Sequence, residues 1–176
     1  MDEQNRPVEP VTATEPAADQ LQPPMAAAAS SAVDMPADGS PVARGLQMKR
    51  RNPLAAWIGL PLITLGIYHF VWYYKIHHEM GEFDRRRHVP DVGPVLVLIF
   101  LGWTVIAPLI SYFNCGHRIA NAQRAAGLRP TCSGLIGMLL MLVFGLGTLY
   151  YQVELNRVHD AYGIATPHGT EVPLYV

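Results

Sequence analysis

Three long apolar stretches, separated by short charged segments, follow one another along the chain. They cover residues 54–76, 93–114 and 133–155. Because an α-helix rises ~1.5 Å per residue, about 20 apolar residues are enough to cross the ~30 Å hydrocarbon core of a bilayer. The pattern therefore predicts an all-α fold, an integral membrane bundle of about three transmembrane helices, within a membrane domain over residues 48–163.

Two prolines inside these stretches, Pro61 and Pro108, predict local bends. At Pro61 a second topology is open, in which the first stretch folds back as a re-entrant or interfacial segment. Three spans with a cytoplasmic amino terminus place seven Lys and Arg residues inside and five outside, whereas the re-entrant alternative places nine inside and three outside. We predict three spans, because a continuous helix satisfies its own backbone in lipid and an exposed bend does not.

Aromatic and basic residues flank the apolar stretches in the way that is typical of membrane proteins. Aromatic rings and snorkelling lysines collect at the membrane–water interface. The predicted interfacial anchors are Trp57, Trp72, Tyr73, Tyr74, Lys75, Tyr112, Tyr150 and Tyr151. Basic side chains at the same level attract anionic lipid headgroups. The residues predicted to do so are Lys49, Arg50, Arg51, Arg85, Arg86 and Arg87.

The amino-terminal segment, residues 1–47, has a different composition from the rest. It is rich in proline and alanine, and residues 1–43 carry seven acids against one base, Arg6. Such a segment buries too little apolar surface to offset the entropy lost on ordering, so it is predicted to be a disordered tail. Residues 164–176 are predicted to form a short carboxyl-terminal tail. The basic residues form no face interleaved with aromatic side chains, and no recognition motif accompanies them. Nucleic acid is therefore not an expected partner.

Candidate chemistry is sparse along the chain. His69, His77 and His78 are weak candidates for a metal site, because adjacent residues of a helix point about 100° apart and no His-Glu-x-x-His pattern is present. The apolar stretches contain no acid–base set that converges, and no glycine-flanked nucleophile. We therefore expect no cofactor and no enzymatic activity. Whether Cys115 and Cys132 pair is open.

Particular motifs of the chain resemble a known family. Residues 50–53 lead into the sequence Ile-Thr-Leu-Gly-Ile-Tyr at 63–68, and Trp-Tyr-Tyr-Lys-Ile follows at 72–76. Together with Gln152, Leu155 and Asn156, these motifs resemble the small bacterial, largely actinobacterial, membrane proteins of domain of unknown function 4234. The resemblance covers roughly residues 49–160. It implies a multi-span membrane protein and carries over no catalytic residue.

The functional prediction follows from the layout of apolar and charged segments. We expect a non-enzymatic interaction or scaffold module of the cell envelope, placed in the plasma membrane as a multi-pass protein. The expected partners are the lipid bilayer, other membrane proteins, or a second copy of the chain. The alternative is a small transporter or channel subunit that uses the juxtamembrane histidines His69, His77 and His78.

Overall fold

We describe the protein from a computed structural model, whose described residues are 39–176. The predicted disordered tail lies largely outside that range, since residues 1–38 are not described. In chain order the elements are β1 (Ala43–Leu46), a π-helical turn (Ala55–Gly59), α1 (Leu60–Ile63), α2 (Ile67–Phe83), α3 (Val92–Leu101), a 3-10 turn (Gly102–Thr104), α4 (Ile106–Ala125), α5 (Gly134–Leu142), α6 (Leu146–Asp160) and β2 (Glu171–Leu174).

Each apolar stretch is interrupted near its middle and folds into two helical arms. The interruptions fall at residues 64–66, 102–105 and 143–145. Within residues 39–176, no helix has both the length and the apolar content that crossing a bilayer requires. The prediction of three transmembrane helices over 54–76, 93–114 and 133–155 is therefore wrong. We call these units hairpins 1, 2 and 3, and their connecting residues the tips.

Left-handed backbone conformations explain why the helices stop where they do. Leu65 and Gly66 have φ of 52° and 88°, Val105 has φ of 61°, and Phe144 and Gly145 have φ of 49° and 68°. A right-handed helix cannot continue through such residues. Pro108 lies in the first turn of α4, where a missing N–H costs nothing. Pro61 instead lies inside the first arm of hairpin 1, directly after the π-helical turn Ala55–Gly59.

Antiparallel packing of the two arms is clearest in hairpin 3. The Tyr150 hydroxyl accepts a hydrogen bond from Ser133 N at 2.9 Å. A Cβ added to Gly137 would lie 2.1 Å from the Tyr151 ring, and one added to Gly147 would lie 2.5 Å from the Gly137 carbonyl oxygen. In hairpin 1, Arg51 before the first arm pairs with Glu79 late in the second. The Ser133–Tyr150 and Arg51–Glu79 contacts each join the residue that precedes the first arm to the second arm of the same hairpin.

A two-stranded antiparallel ribbon closes the end of the bundle away from the tips. Strands β1 and β2 pair with Ala43 opposite Leu174. Gly45 in β1 lies so close to Phe83, the last residue of α2, that an added Cβ would be 1.7 Å from its carbonyl oxygen. Tyr175 N donates to the Ala125 carbonyl at 2.8 Å, and Gln47 Nε2 donates to the His159 carbonyl at 3.0 Å.

These contacts fix the direction of the three long helices. Since the carboxyl-terminal ends of α2, α4 and α6 all meet the ribbon, the three helices run the same way. Their amino-terminal ends, each preceded by a tip, therefore lie together at the opposite end of the bundle. The ribbon places residues 43–46 in a strand, which contradicts the predicted disordered tail at these residues. It also adds a small sheet to the predicted all-α fold.

Aromatic and small residues fill the space between α2, α4, α5 and α6. Trp72, Tyr73, Ile119 and Tyr151 are fully buried. A Cβ added to Gly116 of α4 would lie 2.4 Å from Gly134 Cα at the start of α5, so the two backbones touch. This core lies between the tips and the ribbon and packs the helices against one another.

Candidate interaction surface

Large apolar side chains are exposed at all three tips. Leu65 is 93% exposed, Trp103 is 83% exposed and Phe144 is 90% exposed. The flanking residues extend this surface down the arms. Exposed members include Leu62, Ile63, Ile67, Phe100, Leu101, Val105, Ile106, Leu142 and Val143. Scattered exposed apolar residues are normal, but a contiguous set of this kind marks an interaction site.

The half of the bundle that carries the tips has no charged side chain. Asp, Glu, Lys and Arg are absent from residues 52–74, 92–117 and 130–153. The shorter arm of hairpin 2, α3, has 10 residues and is about 15 Å long at ~1.5 Å per residue. That length is about half of the ~30 Å hydrocarbon core of a bilayer.

The turn at the tip of hairpin 1 satisfies its own backbone polar groups. Gly66 N donates to the Pro61 carbonyl at 2.7 Å, and Ile67 N donates to the Thr64 carbonyl at 3.1 Å. The Thr64 hydroxyl donates to the Leu60 carbonyl at 2.8 Å and accepts from Tyr68 N at 2.9 Å. Such a turn leaves few groups that need water.

The other two tips use similar bonds. Val105 N donates to the Gly102 carbonyl at 3.4 Å, and the Thr104 hydroxyl donates to the Leu101 carbonyl at 2.7 Å. Leu146 N donates to the Val143 carbonyl at 3.0 Å, and the Phe144 carbonyl accepts from Trp57 Nε1 at 2.9 Å. The objection that a bend would expose unpaired backbone to lipid is therefore weakened at these turns.

Backbone strain coincides with side-chain exposure at the tips. Leu65, Val105 and Phe144 are the non-glycine residues with positive φ within residues 39–176. A non-glycine residue in this region costs of the order of 1–3 kcal/mol, and the cost is greatest for a β-branched residue such as Val105. Glycine would remove the strain but also the exposed apolar side chain. The strain therefore points to a role for the side chains themselves.

Charged residues lie at the end of the bundle that faces the ribbon, away from the tips. Arg51 and Glu79 form a two-pronged ion pair whose side chains are only 10% and 11% exposed. Glu79 Oε2 accepts from Arg51 Nη1 at 2.9 Å and from Lys49 N at 3.1 Å. Asn156 of α6 accepts from Arg51 N at 3.2 Å and donates to the Arg51 carbonyl at 2.7 Å. This cluster fastens the start of hairpin 1 to α2 and α6.

The residues predicted to bind headgroups have different surroundings. Lys49, Arg50 and Arg85 are exposed, whereas Arg51 is committed to Glu79. Arg86 and Arg87 both reach the buried carboxylate of Asp84, at 2.8 and 3.2 Å. The carboxylate of Asp84 thus balances part of the positive charge of Arg86 and Arg87.

The predicted interfacial anchors divide into interior and surface residues. Trp72, Tyr73, Tyr112 and Tyr151 are buried in the core, where their polar atoms bond to other residues of the chain. Their rings therefore do not reach the surface. The remaining anchors lie at the surface or partly so: Trp57, Tyr74, Lys75 and Tyr150. Trp103 of the second tip is also exposed but is not among the predicted anchors, because it lies in the middle of its apolar stretch.

The three candidate metal-binding histidines point to different partners. His69 bonds to the Tyr112 hydroxyl, His77 Nδ1 donates to the Tyr73 carbonyl at 2.8 Å, and exposed His78 faces Asp91 at 3.3 Å. Within residues 39–176, no three His, Cys, Asp or Glu side chains are arranged to hold a metal ion. Cys115 and Cys132 are free, buried thiols, and burial raises the pKa of both.

Burial of His69 and His77 makes the stability of the fold depend on pH. Desolvation lowers the pKa of each imidazole from 6.5 to about 4. The unfolded chain binds these protons near pH 6.5 and the folded chain does not until about pH 4. The free energy of unfolding should therefore fall as the pH drops from 6.5 toward 4. Thermal unfolding followed by circular dichroism across this range would measure the effect.

A conservative variant separates His77 from other titrating groups. His77→Asn keeps a donor for the Tyr73 carbonyl and removes the titration, so it should flatten the fall in melting temperature. An unchanged slope in His77→Asn would show that His77 is not the responsible group.

Comparison with known proteins gives a family match for part of the chain. Residues 52–121 match the family model described as Domain of unknown function (DUF4234). The match confirms the family resemblance of the motifs at 63–68 and 72–76. It covers hairpin 1 and most of hairpin 2, and ends before hairpin 3. The curated proteins and the solved structures gave no match.

Proposed function

We propose that this DUF4234-containing chain is a non-enzymatic interaction module that seats its three hairpin tips in one leaflet of a lipid bilayer without crossing it. The observation that carries the proposal is the arrangement of three exposed apolar tips, Leu65, Trp103 and Phe144, at one end of the bundle. The charged residues lie at the other level. A single leaflet has the same order, with apolar acyl chains on one side and charged headgroups on the other.

Three further observations support lipid as the occupant rather than a protein groove. The charge-free arms are about as long as one leaflet is deep, at roughly 15 Å. The tip backbones bond internally, which lowers the cost of leaving water. The arms also carry no Asp, Glu, Lys or Arg over residues 52–74, 92–117 and 130–153, so no charge of these types would have to leave water with the tips. A second copy of the chain is the competing occupant, and the experiment below distinguishes it.

The non-enzymatic part of the proposal rests on how the ionisable groups are used. Glu79 pairs with Arg51, Asp84 with Arg86 and Arg87, and Glu154 with Arg157. Glu79 holds the residue before the first arm of hairpin 1, whereas Asp84 and Glu154 pair with arginines two or three residues further along the chain, so each carboxylate already has a basic partner. The two thiols are buried and their raised pKa values disfavour the nucleophilic thiolate.

Tryptophan fluorescence can test the seating of the tips in lipid. The full chain would be added to phosphatidylcholine vesicles, and quenching by lipids brominated at different acyl positions would be recorded. We expect Trp103 emission to shift to shorter wavelength and to be quenched most by deeply placed bromine. The Trp103→Phe variant should still float with the vesicles but lose the part of the deep quenching that Trp103 supplies, since Trp57 remains beside the Phe144 carbonyl.

Trp72 provides the internal reference for this measurement, because it is fully buried and bonded to Gln152 at 2.7 Å. The Trp72→Phe variant should keep the deep quenching that Trp103 supplies. A chain that neither floats nor changes its emission, and that forms a discrete dimer at the same concentration, would overturn the proposal in favour of self-association.

A further inference from the structure

A small cavity lies between α2 and α4 at the level of the charged residues. Its volume is about 70 Å³, enough for several waters or one tetrahedral anion. Met80 and Asp84 line it from α2 and the residue that follows, Arg87 and His88 from the connecting loop, and Arg118 and Asn121 from α4.

Arg118 is the unusual member of this lining. Its Nη1 is buried and has no hydrogen-bond partner, and within residues 39–176 its guanidinium forms no ion pair. Arg51, by contrast, is held on both prongs by Glu79. A buried donor without a partner costs about 1–3 kcal/mol, and more when it is charged. Nη1 itself is enclosed, so an acceptor in the cavity would be bound by the part of the Arg118 guanidinium that lines it.

The charge balance of the cavity favours an anion. Asp84 is the acidic group in the lining, and its two oxygens are already bonded to Arg86 and Arg87. Arg87 uses Nε for that bond, at 3.2 Å, which leaves its Nη groups as further donors. Two arginines against one carboxylate leave a positive excess beside the unpaired Arg118. Phosphate oxygens are acceptors that guanidinium groups bind well.

The height of the cavity, taken with the proposed function, indicates where such an anion would be found. Arg118 lies about 20 Å from Val105 along α4, at ~1.5 Å per residue. Headgroup layers occupy about the outer 5–8 Å beyond each ~15 Å half of the hydrocarbon core. If the tips reach the bilayer midplane, Arg118 lies at the level of the lipid phosphates.

We infer that this cavity is a binding site for a phosphate group, with Arg118 as its main donor and Arg87 beside it. The inference of a lipid phosphate as the source rests on the proposed function, whereas the preference for phosphate itself does not. Free inorganic phosphate and the headgroup of an anionic lipid share this chemistry, and the experiment separates them.

The test compares the full chain with Arg118→Gln and with a control, Arg129→Gln, that removes an exposed arginine outside the cavity lining. Partition would be measured on vesicles of phosphatidylcholine alone and of phosphatidylcholine with phosphatidylglycerol. We expect Arg118→Gln to lose about tenfold of the preference for the anionic vesicles and to bind the neutral ones as before. Arg129→Gln should lose less than threefold.

A second measurement, free of lipid, uses inorganic phosphate. Phosphate should raise the melting temperature of the unsubstituted chain more than chloride at equal ionic strength, and this difference should vanish in Arg118→Gln. If phosphate stabilises the chain but the tips do not enter vesicles, the site stands and the proposed function fails. If the unsubstituted chain prefers neither phosphate nor anionic vesicles, the site is overturned whether or not the variants fold.

The Arg118→Lys variant distinguishes the loss of phosphate binding from the loss of the fold. It keeps the positive charge but loses the forked donor geometry, so it should retain part of the preference for phosphate. Far-ultraviolet circular dichroism would verify that each variant is folded. Equal preference for phosphate in Arg118→Gln and the unsubstituted chain would contradict the assignment of Arg118.

Discussion

Replacing the three tip side chains together, as Leu65→Glu/Trp103→Glu/Phe144→Glu, should lower partition onto phosphatidylcholine vesicles by at least about a hundredfold. Each side chain is more than four-fifths exposed in the chain, so little internal packing is lost. Burying such a side chain in an apolar phase is worth about 1.5–3 kcal/mol, and a charge placed there costs about 2.5–3.5 kcal/mol. Vesicle flotation over a range of lipid concentrations measures the partition.

Ile164 supplies the matched control for this substitution. It is 70% exposed but lies after α6, toward the ribbon end of the bundle. Ile164→Glu adds one of the three charges of the tip variant, at an exposed apolar position outside the tips, and should leave vesicle binding within about twofold. If Ile164→Glu and the triple tip variant lost binding alike, the tips would have no special role.

Removing the buried carboxylate of Glu79 should have the largest effect on stability. Glu79→Ala leaves Arg51 as an unpaired, nearly buried charge and also removes the acceptor of Lys49 N. Breaking one side of a buried ion pair costs about 3–5 kcal/mol. The expected result is a clearly lower melting temperature, with the first arm of hairpin 1 released from α2 and α6. Chemical unfolding followed by circular dichroism would measure the loss.

Glu82, three residues further along α2, is the control for Glu79. Its carboxylate is 39% exposed and faces His78 at 3.9 Å. Exposed pairs of this kind contribute about 0–1 kcal/mol, so Glu82→Ala should have little effect on unfolding. Equal destabilisation by the two variants would mean that the Arg51–Glu79 pair does not hold the hairpin in place.

The sequence identified the apolar stretches but not how they fold. Hydropathy averaged over about 20 residues measures how apolar a stretch is and is insensitive to two or three residues with positive φ at its centre. Leu65-Gly66 and Phe144-Gly145 carry a glycine that could have signalled the turn. Val105 carries no such signal, because a β-branched residue is among the least expected at positive φ.

The polar contacts were hidden from sequence for a related reason. Tyr73, Tyr112 and Tyr151 lie near the ends of apolar stretches, and this position predicts an interface when each stretch is a straight span. Once the stretches fold at their centres, the same rings meet inside the bundle, with Tyr73 and Tyr112 4.9 Å apart and Tyr112 and Tyr151 6.2 Å apart. Arg51 and Glu79 are 28 residues apart, so only the folded hairpin shows that they pair.

Labelling with a membrane-impermeant maleimide tests the central claim most directly. Cysteines would be introduced singly at Arg85, Arg129 and Ile164, all exposed and each following one hairpin, with Cys115 and Cys132 changed to alanine. The chain would be bound to sealed vesicles from outside. Seating of all three hairpins in one leaflet predicts equal labelling at the three positions and protection of a cysteine at Phe144. Alternating protection of the three positions would contradict the account, because it requires the hairpins to cross the bilayer.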